Sequence, residues 1–181
     1  MGLLLIAAYI ATIPVANFLI GHVGTVCIPQ GPCLIPVFPG IMAPSGVLMI
    51  GCALLLRDLV QRRYGAPWSL ACIGAGTALS FAIAAPAIAV ASGTAFLFSE
   101  LVDFAAYTPM ARRRFYLALI VSCAAGAVAD SMLFLWLAFG SLDHLAGQIM
   151  GKIYAVAAYG VIGGNWQNMT RIFHSLGWKP R

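Results

Sequence analysis

Glu100 and Asp103 stand three residues apart in a long apolar run, so a helix puts both carboxylates on one face. Two like charges placed together repel, and one of them then tends to keep its proton. Such a pair can accept hydrogen bonds from a substrate or carry a proton. Asp130 and Lys152 lie in two further apolar runs. Ser122, Gly126 and Asp130 recur every four residues, as do His144, Gln148 and Lys152, and each set forms a stripe on one helix face. Arg57, Asp58 and Gln61 share a face in an earlier run, and Asn17 is a lone amide in the first. A charge inside a bilayer costs roughly 2.5–3.5 kcal/mol on insertion scales, so each of these positions is a functional candidate. Each also has a structural reading. Asp58 can simply neutralise Arg57, Asp130–Lys152 can be an ion pair that registers two helices, and Asn17 can hydrogen-bond another helix.

The elements that position these groups follow from composition. The chain is 62% hydrophobic and 8% charged in 181 residues, against about 25% charged in soluble domains. This is a membrane composition, with the lipid bilayer as solvent. Runs of about 20 apolar residues give six transmembrane helices, near 2–20, 45–64, 67–84, 93–111, 115–138 and 144–165, in one domain covering 1–181. The break between the third and fourth falls near Pro86 and Ser92-Gly93. Met1 to Ile13 has no basic leader region and reads as a retained first helix.

Basic residues set the orientation. Arg57, Arg62 and Arg63 lie at the end of the second span, Arg112, Arg113 and Arg114 follow the fourth, and Arg171, Lys179 and Arg181 follow the sixth. The opposite loops, near 21–44, 85–92 and 139–143, have no Lys or Arg. Both termini are therefore expected in the cytoplasm, as suits a bacterial inner membrane. The net charge of +5 belongs to this pattern and does not point to nucleic acid.

Depth then pairs the charges. At 1.5 Å per residue, Asp130 lies roughly 22 Å from the cytoplasmic start of its span and Lys152 roughly 12 Å from the outer start of its own. In a core about 30 Å thick these levels nearly coincide, which predicts an Asp130–Lys152 ion pair. Glu100 falls near the midplane, with Arg57-Asp58 nearer the cytoplasm. Gly147, Gly151 and Ala155 give the sixth span a small-residue face that suits close packing or a homodimer.

The outer loop 21–44 is rich in Gly and Pro, including Pro44, yet apolar between them. It is expected to fold back as a lid or re-entrant segment, or as a plain cap. Cys27 and Cys33 share it and can form a disulfide if it is extracytoplasmic; Cys52, Cys72 and Cys123 lie in apolar spans. No metal-ligand spacing, Walker A pattern or nucleophile–base arrangement occurs, so no metal, no cofactor and no enzymatic activity are expected.

The stretch Arg57-Asp58-Leu59-Val60-Gln61 is echoed by Ser99-Glu100-Leu101-Val102-Asp103. With Pro44-Ser45-Gly46 and Gly51 before the first, Tyr107-Thr108-Pro109 after the second, and Ala129-Asp130-Ser131 further on, the chain resembles the queuosine-precursor transporter family, also called the vitamin-uptake-type transporter family. The similarity runs over about residues 40–165, and Ser45 stands where Ala is commoner. The resemblance implies an inner-membrane importer of deazaguanine bases for tRNA modification, with a fold similar to the six-helix substrate-binding subunits of vitamin importers. A guanine-like edge offers adjacent N–H donors that one carboxylate can accept. Glu100 or Asp103 is the expected acceptor, with Asn17, Asp130, Gln148 and Lys152 also in the site. Phe18, Phe38, Phe96, Phe104 and Trp136 are available for stacking. Arg57, Asp58 and Gln61, with Pro44 and Gly46, are expected to gate or to brace the fold. Rival readings are a transporter of another purine or small vitamin, and a non-transporting membrane partner subunit.

Overall fold

The computed structural model describes residues 2–29, 31–84 and 89–163. The expected break at Pro86 and the basic residues Arg171, Lys179 and Arg181 lie outside them, whereas Ser92-Gly93, expected at the same break, lies inside a helix that already begins at Ala89. The described chain folds into helices α1 (Gly2–His22), α2 (Val47–Tyr64), α3 (Ala66–Ile83), α4 (Ala89–Met110), α5 (Phe115–Phe139) and α6 (Leu145–Gly163). Strands β1 (Val26–Cys27), β2 (Cys33–Phe38) and β3 (Ile41–Pro44) lie between α1 and α2. Four of the helices contain spans long and apolar enough to cross a membrane: Leu3–His22, Ala66–Ile83, Ala89–Met110 and Leu117–Phe139. This is a multi-pass membrane protein.

Local sequence explains the helix ends. Gly65, at φ 90°, separates α2 from α3, and Pro67 sits in the first turn of α3, where its missing N–H costs nothing. Gly140 ends α5 in the left-handed conformation, and its N–H donates to the Trp136 carbonyl at 3.0 Å. Pro109 falls in the last turn of α4, just before the turn that carries Arg112 and Arg113.

Burial is inverted relative to a soluble protein. Leu4, Val90, Ile120 and Trp136 are all more than 60%, or at 60%, exposed, whereas Arg57, Asp58, Asp103, Glu100 and Lys152 are at most 1% exposed. Apolar side chains facing outward and charges facing inward fit hydrocarbon as the outer solvent. Helix α2 touches all five other helices, so its charged face lies at the centre of the bundle. Its four charged residues, Arg57, Asp58, Arg62 and Arg63, lower its hydropathy relative to the four apolar spans.

The loop 21–44 departs from the all-helical expectation. It forms a three-stranded antiparallel sheet in the order β1-β2-β3, so the fold is mostly helical, not all-α. The reason lies in Cys33-Leu34-Ile35-Pro36-Val37-Phe38, where Cys33 and Leu34 are buried and the following four side chains alternate between half-buried and exposed. Pro36 would interrupt a central strand, and the register shift between Pro36 and Phe38 accommodates it. Gly40, at φ 76°, makes the turn to β3. Cys27 and Cys33 are paired across β1 and β2 and form a disulfide.

The sheet is seated on the helices. Ser45 donates its backbone N–H to the Cys33 carbonyl at 2.9 Å and its hydroxyl to the Leu19 carbonyl at 2.7 Å. A methyl group at Gly147 would collide with the Met42 carbonyl, and one at Gly151 with Val47 at 2.6 Å. Ala155 likewise faces Gly51. The small-residue face of α6 is thus consumed by β3 and α2 within one chain, which removes it as an argument for a homodimer.

Candidate functional site

Two polar centres occupy the interior. The deeper one is built on Arg57 of α2. Its Nη1 lies 2.8 Å from Asp58 Oδ1, its Nη2 pairs with Asp103 Oδ1, and its Nε donates to Glu100 Oε2 at 3.3 Å. The sequence offered no cation close to Glu100 and Asp103. The fold supplies one from 43 residues away, because α2 approaches α4 at this level and the long Arg57 side chain bridges them. The two echoed segments therefore face each other across a single guanidinium, whose planar fork serves three carboxylates at once.

Polar neighbours fix this arrangement. Arg57 Nη1 also donates to Gln61 Oε1 at 3.0 Å, and Gln61 Nε2 donates to Thr108 Oγ1 at 2.9 Å. Ser122 of α5 donates to Asp58 Oδ2 at 2.9 Å. A Cβ on Gly126, one turn further along α5, would lie 2.9 Å from Asp103 Cβ. Glycine there lets α5 approach α4 at the level of the carboxylates. The Arg57 guanidinium also sits 5.7 Å from the Tyr107 ring centre, and Tyr107 is buried, not interfacial. Asp58, Asp103 and Cys123 bring potential ligand atoms within 4.8 Å of one another. Arg57 already supplies both carboxylates with a positive charge, which disfavours a metal cation in the same place.

The second centre lies toward the sheet. Lys152 Nζ donates to Asp130 Oδ2 and to Ser131 Oγ, both at 2.6 Å, and to Gln148 Oε1 at 3.2 Å. The ion pair expected from matched depth is present. Asp130 Oδ1 has only a long contact with Ser99 Oγ, at 3.5 Å. Ser99 precedes Glu100, so the Ser122–Gly126–Asp130 face of α5 runs from one centre to the other.

A cavity of about 50 Å³ opens beside this second centre. All six helices contribute to its wall: Asn17 from α1, Val47 from α2, Ser80 from α3, Phe96 from α4, Asp130 and Phe134 from α5, and Gln148 and Lys152 from α6. Pro44 and Gly46, at the foot of β3, close one edge. Asn17, Asp130, Gln148 and Lys152 are thus brought together. Glu100 and Asp103 are not part of the wall and are held by Arg57, with Glu100 one helical turn below Phe96. Among the aromatics considered, Phe96 reaches the cavity, while Phe18, Phe38 and Trp136 are more than half exposed. Phe104 lies 6.0 Å from Arg57. A larger cleft of about 290 Å³, between Pro29, Phe139 and His144, has no buried charged group in its wall.

Sequence reasoning missed Ser80, Ser92 and Phe134, which line the cavity. A serine in an apolar span is a weak signal, and Phe134 is one of many aromatics. Tyr9, which is fully buried near the deeper centre, gave no signal at all.

A membrane bundle with a charged interior and a small cavity walled by apolar, amide and charged side chains has the form of a small-molecule transporter. The family model described as "Putative vitamin uptake transporter" matches residues 79–169, half of the chain, and the chain belongs to that family. No curated protein and no solved structure matches it.

Proposed function

We propose that this protein imports deazaguanine bases, precursors of queuosine, across the inner membrane for tRNA modification. The observation that carries the reading is the cavity where all six helices meet. It combines one buried carboxylate, two amides and two phenyl rings. Asp130 Oδ1, without a short hydrogen bond, can accept from an N–H donor on a planar base while Oδ2 stays with Lys152. Asn17 and Gln148 can read further edge atoms, and Phe96 and Phe134 can bracket the ring. The blocks Arg57–Gln61, Ser99–Asp103 and Ala129–Ser131 add the resemblance to queuosine-precursor transporters.

Orientation fits import. In this reading α2 and α6 cross the membrane with the four apolar helices, and Arg62, Arg63 and Arg112–Arg114 face the cytoplasm with both termini. The cavity and the sheet then lie on the outer side. A volume of about 50 Å³ is far below the roughly 300–1,000 Å³ of ligand pockets. Loading a base therefore requires the wall to part, and the sheet resting on Pro44 and Gly46 is the natural lid. Arg57, with Asp58, Glu100, Asp103 and Gln61, closes the cytoplasmic half.

Binding of a radiolabelled deazaguanine base to the purified protein, competed with guanine and with a panel of small vitamins, tests the reading. Asp130→Asn should weaken binding by about 10–100-fold, the loss expected for a hydrogen bond to a charged group. Preferential competition by a vitamin would reassign the substrate.

A further inference from the structure

Arg57 carries one positive charge and meets three carboxylates, all in side chains at most 1% exposed. With every acid ionised, the cluster would hold two uncompensated negative charges. Lys152 brings no relief, because Asp130 is its own partner. Uncompensated charge is strongly disfavoured in a dry interior, and buried acids take up protons instead.

The three acids are not equally served. Asp58 has Arg57 at 2.8 Å and the Ser122 hydroxyl at 2.9 Å. Asp103 has the shortest contact with the guanidinium. Glu100 has the longest, at 3.3 Å, and its Oε1, like Asp103 Oδ2, is buried with no hydrogen-bond partner among the described residues, so Glu100 combines a bare oxygen with the weakest hold on Arg57. The groups facing Glu100 are Tyr9 of α1, Arg57 and Asp58 of α2, Cys72 of α3, Asp103 of α4, and Cys123 and Asp130 of α5, with Lys152 of α6 behind Asp130. The Tyr9 hydroxyl is also buried and without a hydrogen-bond partner among the described residues. It is a further unsatisfied polar group beside the same acid, on a different helix. Glu100 also stands one turn beneath Phe96 in the cavity wall, between the outer cavity and Arg57.

We propose that Glu100 holds an exchangeable proton, and that one proton crosses the membrane with each substrate molecule; this rests on the import reading above. On the outer side, the Glu100 carboxylate takes a proton from hydronium, forming the acid and releasing water. After the cavity opens inward, the acid returns that proton to a cytoplasmic water. The bared carboxylate then draws on Arg57, which ties the return step to closure of the deeper centre. Asp58 and Asp103 stay with the guanidinium throughout.

The test uses the full chain in lipid vesicles, a radiolabelled deazaguanine base and a pH-sensitive dye in the lumen. Exchange of labelled for unlabelled base without any gradient reports on the import reading alone. An inward proton gradient of about one pH unit should raise accumulation up to about tenfold for one proton per base, since each 1.4 kcal/mol is a factor of ten. Adding base outside should acidify the lumen. Glu100→Gln should lose both the gradient-driven accumulation and the acidification. If that variant fails to insert, Glu100→Asp, which keeps a carboxyl, and the dye signal of the parent decide the question. Exchange by the parent with neither accumulation nor acidification would overturn the proton role and leave import standing. Absence of exchange in a well-inserted parent would overturn both.

Discussion

Replacing Lys152 by Met removes the positive charge paired with Asp130 and three donor contacts, to Asp130, Ser131 and Gln148. Breaking a buried ion pair from one side costs about 3–5 kcal/mol, because the other charge stays buried and unpaired. Asp130 is 6% exposed and lines a cavity, so some water can reach it, which places the loss near 3 kcal/mol. Asp130→Asn should cost about as much, since Lys152, at 1% exposure, is then the stranded charge. The double variant leaves no charge and should cost about 1–2 kcal/mol, so the two sites should couple by about 4–5 kcal/mol. Equilibrium unfolding in mixed micelles, followed by circular dichroism for the four proteins, measures this cycle. The double variant should fold well and still fail to bind base. Additivity of the single losses to within about 0.5 kcal/mol would show that the pair is not coupled as described.

Arg57→Lys keeps the charge but loses the fork, so one ammonium cannot hold Asp58, Glu100 and Asp103 together; uptake should fall at least about tenfold while protein remains in the membrane, as judged by transport and immunoblotting. Gly126→Leu would drive a side chain into Asp103 and Leu54 and should destabilise the α4–α5 contact by about 1–3 kcal/mol, read as a lower unfolding midpoint. Cys27→Ser opens a short covalent loop under the sheet and should cost about 2 kcal/mol of stability, with loss of the shift between reduced and non-reduced gels after thiol labelling.

The helix boundaries were legible in the sequence because lipid imposes a minimum apolar length. The expected spans 45–64 and 115–138 lie within two residues of α2 and α5 at each end. The Asp130–Lys152 pair was legible because two helices of opposite direction make depth a countable quantity. The partner of Glu100 and Asp103 was hidden, since depth alone does not say which helices adjoin. Arg57 reaches them only because α2 is central to the bundle. The sheet was hidden for another reason: the prolines of the loop 21–44 argue against strands until the register shift at Pro36 is known. The small residues of α6 were recognised as a packing face, but the sequence could not show that the face packs on β3 and α2.

Uptake of a radiolabelled deazaguanine base by cells that lack both their own synthesis and their own importer tests the central claim most directly. Cells expressing this chain should accumulate the base and restore queuosine in their tRNA. An Asp130→Asn chain present at equal level in the membrane should lose at least about nine-tenths of that uptake. No uptake by the well-inserted parent chain would contradict the account.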